Sequence, residues 1–332
     1  MRPGASTPMA ELLGIANLTV RYRILRGWRA LVAPPARRHV PAVLDASLTI
    51  AAGETYGLVG ESGSGKTTLA RAIVGLVPAA AGTISLRGRL LGRLSERALR
   101  PVRREIGMMF QDPVASLSPR RTVASLITEP LAIHGIRADH DAEAHRLIAM
   151  VGLDARFLAL YPHQLSGGQA RRVGAARALA LNPALVIADE PTAGLDVSIQ
   201  SEVLNLLASL QGRHGMGYLI VTHNLPVIRH ISHRLGIMYL GRLVEQGPTR
   251  EIFRRPAHPY TAALVAAIPQ PDPDLRRDAP PLEGEIPSPR NRPAGCEFHT
   301  RCRFAAARCH AEAPAWTQLD AARGVRCHFP LA

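Results

Sequence analysis

Residues 60–67 run Gly60-Glu61-Ser62-Gly63-Ser64-Gly65-Lys66-Thr67, the spacing G-x-x-x-x-G-K-[ST] of a loop that can hold phosphates. Gly63 and Gly65 let the backbone curl until successive N–H groups face one anion. The loop follows a short apolar strand, Thr55–Val59, and leads into a helix expected over Thr67–Val77. The helix N-terminus adds partial positive charge. Lys66 can then reach the β- and γ-phosphates of a triphosphate such as ATP, and the Thr67 hydroxyl, with Thr68 beside it, can ligate Mg²⁺. A chance glycine-rich turn is the bland alternative. Against it, Lys66 is the single lysine among 40 basic residues, so an arginine-using chain keeps a compact ammonium at this one place.

Triphosphate chemistry also needs a carboxylate for the metal. The apolar run Ala184–Ala188 ends in Asp189 and Glu190, at the strand end where open α/β sheets bind ligands. Asp189 would hold Mg²⁺ through water, and Glu190 would polarise an attacking water as general base. The alternative is an acidic strand exit, although two adjacent acids capping a buried strand are uncommon. Ser166-Gly167-Gly168-Gln169 precedes a helix expected from Ala170. It offers a second anion-receptive N-terminus with Ser166 as a cap-like hydroxyl. Alone, such a loop is common; in chain order with the other two motifs it gains weight.

The elements that must position these groups alternate. Further strands are expected at Gly14–Tyr22, Ala42–Ile50 and Tyr218–Thr222, and further helices at Ala124–His134, Asp141–Val151, Ala170–Leu181 and Ile199–Gln211. Such alternation implies a mostly parallel sheet covered on both faces. The 332 residues are 47% hydrophobic, enough for a sizeable core and too apolar for a disordered chain. No apolar run of about 18 residues is present to span a bilayer, and the first residues lack the apolar core of a secretory signal. A cytosolic location is expected.

The formal charge is +14, which invites a nucleic-acid reading. A chain rich in Ala and Arg and poor in Lys has a duller explanation in coding bias. Residues 256–332 carry nine Arg and eight acids, so residues 1–255 hold the other +13. The densest basic stretch is Arg21, Arg23, Arg26, Arg29, Arg37 and Arg38. Eight prolines fall within 269–293, the composition of an extended connector. A boundary is placed near residue 255.

Taken together, the motifs resemble the nucleotide-binding subunit of an ABC transporter, whose signature is Leu165-Ser-Gly-Gly-Gln169. The resemblance implies an α/β P-loop NTPase (RecA-like) core with an antiparallel β subdomain and an α-helical signature subdomain at about 112–170. Tyr22 then matches the aromatic that stacks on adenine; a strand-edge aromatic packed on the core is the alternative. Gln111 matches the glutamine that touches Mg²⁺ and the attacking water, Asp196 in Ala193-Gly-Leu-Asp196 the D-loop, and His223 the switch histidine at the γ-phosphate. Each alone would be an ordinary polar loop residue. Gly60 to Thr68, Ser166 to Gln169 and Asp196 are thus expected to bind nucleotide, and Glu190, His223 and Gln111 to act in hydrolysis. Two departures are Asn224, where the family has Asp, and AGLD in place of SALD; neither removes a catalytic group.

Within the family, Gln111–Val123, Tyr161–Gly168, Val197–Gln200, Met238–Gly247, His258–Leu264, Leu282–Pro289 and Gly295–Cys302 resemble the oligopeptide/dipeptide/nickel importer branch. The stretch Ser116–Val123 and the basic insertion Gly27–Arg38 are more similar to its F-type than its D-type subunit. The resemblance implies two transmembrane permease subunits, a second ATP-binding subunit closing a head-to-tail ATP sandwich, and an extracytoplasmic substrate-binding protein. It places the chain peripherally on the cytoplasmic face of the inner membrane. The cargo is expected to be peptides, with nickel or another small solute as the alternative.

Cys296, Cys302, Cys309 and Cys327 are the only cysteines. Disulfides are disfavoured in the cytosol. Structural zinc usually brings paired C-x₂₋₄-C spacing, absent here, and four thiolates also suit an iron–sulfur cluster. Cluster, zinc and unmetallated thiols stay open on the residues alone; the branch resemblance implies a [4Fe–4S] cluster, which would staple the small extension 256–332.

Rival classes fit less well. A DNA-repair or chromosome-type ATPase needs a long coiled coil between Lys66 and Ser166, and no sustained heptads intervene. A ribosome-associated translation factor needs two ATPase units. A non-catalytic adaptor would not keep Glu190, Gln111 and His223. No nucleic-acid partner is expected.

Overall fold

The computed structural model describes residues 11–24, 38–92, 94–269 and 282–331. Arg26, Arg29 and Arg37 of the basic stretch, and residues 270–281 of the Pro-rich connector, lie outside the described residues.

The chain begins with strands β1 (Glu11–Arg23), β2 (His39–Ala51) and β3 (Thr55–Val59), then helix α1 (Lys66–Ile73), β4 (Ala81–Leu86) and β5 (Arg89–Leu90). It continues through α2 (Glu96–Val102), β6 (Ile106–Met109), α3 (Val123–Ile133), α4 (His140–Met150) and α5 (Gly167–Leu179). Next come β7 (Leu185–Asp189), α6 (Val197–His214), β8 (Gly217–Thr222), α7 (Leu225–Ile231), β9 (Arg234–Tyr239) and β10 (Arg242–Pro248). The last elements are α8 (Thr249–Arg254), α9 (Pro259–Ala266), α10 (Ala307–Ala311), β11 (Thr317–Gln318) and β12 (Gly324–Val325). The expected strands and helices all form, most with ends shifted by one to three residues.

Two compact units emerge, one from residues 49–55 and 86–221 with the start of β1, the other from 14–48, 56–85 and 222 onward. In the first unit β6, β7 and β8 are parallel, with Gly107 opposite Val186 and Val186 opposite Tyr218. Every residue of β7 and β8 is buried, which is why both read as unbroken apolar runs. Helices α3, α4 and α5 pack on one another. Their starts are fixed locally: the side chains of Thr122, Asp139 and Ser166 each accept a backbone N–H of the first turn, satisfying a donor the helix cannot.

In the second unit β1 lies between β2 and β4, while β3 runs parallel to β9, with Val59 opposite Ile237. Strands β9 and β10 form an antiparallel hairpin closed by Leu240 and Gly241, at φ 42° and 83°. Two positive φ values are what a tight hairpin of this hand requires. Gly241 N–H donates to the Ser64 carbonyl at 2.8 Å and its own carbonyl accepts from Leu44 at 2.8 Å, so the turn is clasped to the phosphate loop. The end of the chain joins this sheet: β12 pairs antiparallel with β10, with Val325 opposite Glu245, and β11 pairs with β12.

Candidate functional site

Within the second unit the loop 60–65 enters α1 as the glycine pattern requires. Gly65 has φ 103°, and a Cβ there would lie 2.2 Å from the Ala42 carbonyl oxygen. A Cβ on Gly60 would lie 2.1 Å from the Met238 carbonyl oxygen. Any other residue at either position forces strand backbone apart. Lys66 is buried, and its Nζ donates to the carbonyls of Gly60 at 2.7 Å and Glu61 at 2.9 Å and to Ser64 Oγ at 3.3 Å. The loop thus keeps its own cation in place.

A cleft of about 200 Å³ opens beside it, lined by Gly63, Gly65, Lys66, Thr67 and Thr68 and, from the C-terminal tail, Arg292. Tyr22, 39% exposed, places its hydroxyl 3.3 Å from Thr68 Oγ1, leaving ring surface for a planar ligand near the loop. Ser62 is exposed. His223, exposed, leaves the end of β8. The following Asn224 caps α7, its Oδ1 accepting from Val227 N–H at 3.2 Å, a task Asn and Asp perform equally. The departure at this position therefore leaves the cap intact.

In the first unit Asp189 and Glu190 are 2% and 8% exposed at the end of β7. Glu190 has φ 52°, a conformation costly for a residue with a Cβ and concentrated at functional sites. Its N–H donates to Val221 at 2.8 Å. Its carbonyl accepts from Arg171 at 3.1 Å, and the same guanidinium donates to the Ala193 carbonyl. Arg171, from α5, thus holds both the acid and the turn that follows it. No isolated sequence signal marked Arg171, which reads as one more arginine in a basic helix.

Ser166 starts α5 with a reciprocal cap: Gln169 N–H donates to its Oγ at 3.3 Å, and its own N–H donates to Gln169 Oε1 at 2.9 Å. The Ser166 hydroxyl proton stays available to an outside acceptor. Asp196 caps α6 through Ile199 N–H at 2.9 Å. The signature and this turn meet closely, since a Cβ on Gly168 would lie 2.8 Å from Ile199 Cγ2. Gln111 is exposed after β6.

The four cysteines, also in the second unit, form no disulfide and line one small cavity walled by Phe298, Phe304 and Phe329. Burial pushes the Cys296 thiol up to about 11, and burial likewise raises Cys302 and Cys327. Among the described residues no group of three or more His, Cys, Asp or Glu is arranged as the shell of a metal ion. Among them, too, no helix is long and apolar enough to cross a membrane.

Residues 43–193 match the ABC transporter family and residues 244–309 the C-terminal region of oligopeptide/dipeptide transporters. The chain is 46% identical over 308 residues to the oligopeptide transport ATP-binding protein OppF of Salmonella typhimurium, covering 91% of this chain and 92% of that protein. It is 45% identical over 295 residues to the oligopeptide transport ATP-binding protein AppF of Bacillus subtilis, covering 87% and 90%. Among solved structures, a dimeric ATP-binding cassette in a post-hydrolysis state bound to ADP and Pi superposes with a TM-score of 0.63 at 29% identity, over 72% of this chain and 99% of that one.

Proposed function

Because the chain belongs to the ATP-binding subunits of the oligopeptide/dipeptide class of ABC transporters, we propose that it hydrolyses ATP to energise peptide uptake through a channel supplied by two permease subunits. The observation that carries this reading is the phosphate loop, whose buried Lys66 is held on loop carbonyls beside an open cleft. Bound phosphate oxygens exchange for those carbonyls, so the ammonium is in position before substrate arrives. Tyr22 stacks on the adenine. Thr67, Asp189 and Gln111 are the oxygen donors that would hold Mg²⁺, which neutralises phosphate charge when bound. The buried Asp189 carboxylate and half-buried Thr67 hydroxyl fit that hard cation. Glu190 takes the proton of the attacking water, and His223 donates to the γ-phosphate.

Ser166 to Gln169 and Asp196 complete the site of a second ATP-binding subunit in a head-to-tail pair. Residues 1–255 form the ATPase and 256–332 the extension, in a chain lying on the cytoplasmic face of the inner membrane, with an external binding protein delivering cargo.

Four thiols line one small apolar cavity; among the described residues they are not arranged as the shell of a metal ion, but thiolates are the donors an iron–sulfur cluster takes. We assign Cys296, Cys302, Cys309 and Cys327 as ligands of a [4Fe–4S] cluster, with zinc as the alternative. Bound there, such a cluster would supply covalent cross-links to a tail with little core of its own.

Affinity purification in mild detergent, with partner identification, tests the reading. Two polytopic membrane subunits, a second ATPase and ATP-dependent uptake of labelled dipeptide are expected. Partners without membrane-spanning subunits overturn it.

A further inference from the structure

Glu61, the second residue of the phosphate loop, has every polar group engaged. Its carbonyl accepts from Lys66 Nζ at 2.9 Å and from Ser64 N–H at 3.2 Å. Its N–H donates to the Tyr260 hydroxyl at 3.1 Å, and Tyr260 in turn donates to its carboxylate at 3.3 Å. The same carboxylate takes two hydrogen bonds from Arg301, at 2.7 and 3.1 Å. The Arg301 side chain is 5% exposed and that of Glu61 24%. Tyr260 and Arg301 both belong to the tail, so the residue that holds the lysine is itself held by the C-terminal extension.

Arg301 stands on a short turn, His299–Arg301, directly before Cys302. The turn is tied to the thiol cavity: His299 N–H donates to the Cys296 carbonyl at 3.0 Å, and Cys302 N–H to the His299 carbonyl at 3.2 Å. Phe298, at its start, packs 5.3 Å from the rings of both Tyr239 and Tyr260. A largely buried bidentate pair between such a turn and an anion-binding loop fixes direction as well as distance.

We infer that Arg301 is a positioning residue of the nucleotide site: through Glu61 it sets the curl of the phosphate loop, and so makes ATP affinity depend on the extension. The inference rests on reading residues 60–67 as the triphosphate loop. Neither side chain need touch the nucleotide. Loss of either partner leaves the other charged, partly or wholly buried and uncompensated. The loop then relaxes to relieve that charge, and the backbone N–H groups lose their common focus.

The test is equilibrium binding of a fluorescent ATP analogue to the full chain, in wild type, Arg301→Ala, Arg301→Lys, Glu61→Gln and the Arg301→Ala/Glu61→Gln double variant. Lys66→Ala serves as the control. Each single loss is expected to weaken binding by about 10-fold, with the double variant within about 2-fold of the worse single, because both remove one interaction. Arg301→Lys should restore part of the loss. In the assembled transporter Arg301→Ala should raise KM for ATP while kcat stays within about 2-fold. Wild-type affinity in Arg301→Ala and Glu61→Gln, or losses that multiply in the double variant, overturn the inference. If Arg301→Ala does not fold, Glu61→Gln decides alone. If wild type binds no ATP, or Lys66→Ala binds as well as wild type, the loop reading itself falls.

Discussion

Arg171 spans two carbonyls at the end of β7, those of Glu190 and Ala193. A single guanidinium from the signature helix thereby holds the backbone of Glu190, the proposed general base, and the turn behind it, while Glu190 sits in a left-handed conformation. Arg171→Ala leaves one buried and one partly buried acceptor without this donor. We expect a loss of about 2–3 kcal/mol in stability and at least a 10-fold fall in kcat. Arg171→Lys should rescue little, since an ammonium does not reproduce the two-pronged geometry. Chemical denaturation and steady-state ATP hydrolysis read the two effects.

Glu190→Gln keeps the side chain's size but removes the carboxylate proposed as base. Hydrolysis should fall by at least about 100-fold, with the affinity for ATP changed by less than about 2-fold. A coupled phosphate-release assay alongside equilibrium binding separates the two. Residual turnover near wild type would remove Glu190 from the catalytic role.

Glu245 is wholly buried and pairs with Arg323 at 3.3 Å. Its two carboxylate oxygens also accept the N–H groups of Ala257 and His258, at 2.8 and 2.9 Å. Glu245→Ala strands a buried guanidinium and two backbone donors at once. A destabilisation of about 3–5 kcal/mol is expected in urea unfolding.

His258 is 1% exposed, and its Nδ1 accepts from Tyr260 N–H at 3.0 Å. Burial drops its pKa to about 3, against about 6.5 in the unfolded chain. The folded state therefore keeps the ring neutral while the unfolded state takes up a proton as pH falls. Its contribution is constant above about pH 6.5 and declines by about 1.4 kcal/mol per pH unit from there down toward the folded value. From pH 7.5 to 5.0, wild type should lose about 2 kcal/mol more than His258→Asn, whose side-chain oxygen can accept the same N–H. Denaturation midpoints at the two pH values measure it.

Protein purified without oxygen should absorb broadly near 400 nm and hold about four iron atoms per chain. Cys302→Ala and Cys309→Ala should lower both and reduce the thermal midpoint. Zinc in place of iron would assign the thiols to a single-ion site.

The phosphate loop, the acidic strand end and the signature were legible because each joins a fixed spacing to an element that periodicity reveals. Gly60 and Gly65 show why: strand backbone approaches each too closely for a Cβ, and Lys66 is dictated by the anion. Boundaries slipped where caps decide them. The helix expected from Ala170 begins at Gly167 because Ser166 caps it, and that from Ile199 begins at Val197 under Asp196. Partners far apart in the chain were not legible. Nothing in the order of residues says that Arg301 meets Glu61, or that Arg323 meets Glu245. The hairpin at Leu240-Gly241 was also missed as a turn, because a leucine at positive φ carries none of the Asn or Asp signal.

The pairing of β12 with β10 sets an order of events during synthesis. Glu245 leaves the ribosome some 80 residues before Val325, its partner across the sheet. In that interval β10 presents an unpaired strand edge, and the carboxylate destined for burial has no counter-ion. An open edge of this kind invites pairing with another nascent chain. A ribosome that stalls or terminates within the last stretch of the message would release a polypeptide with all its nucleotide motifs made and its sheet still open.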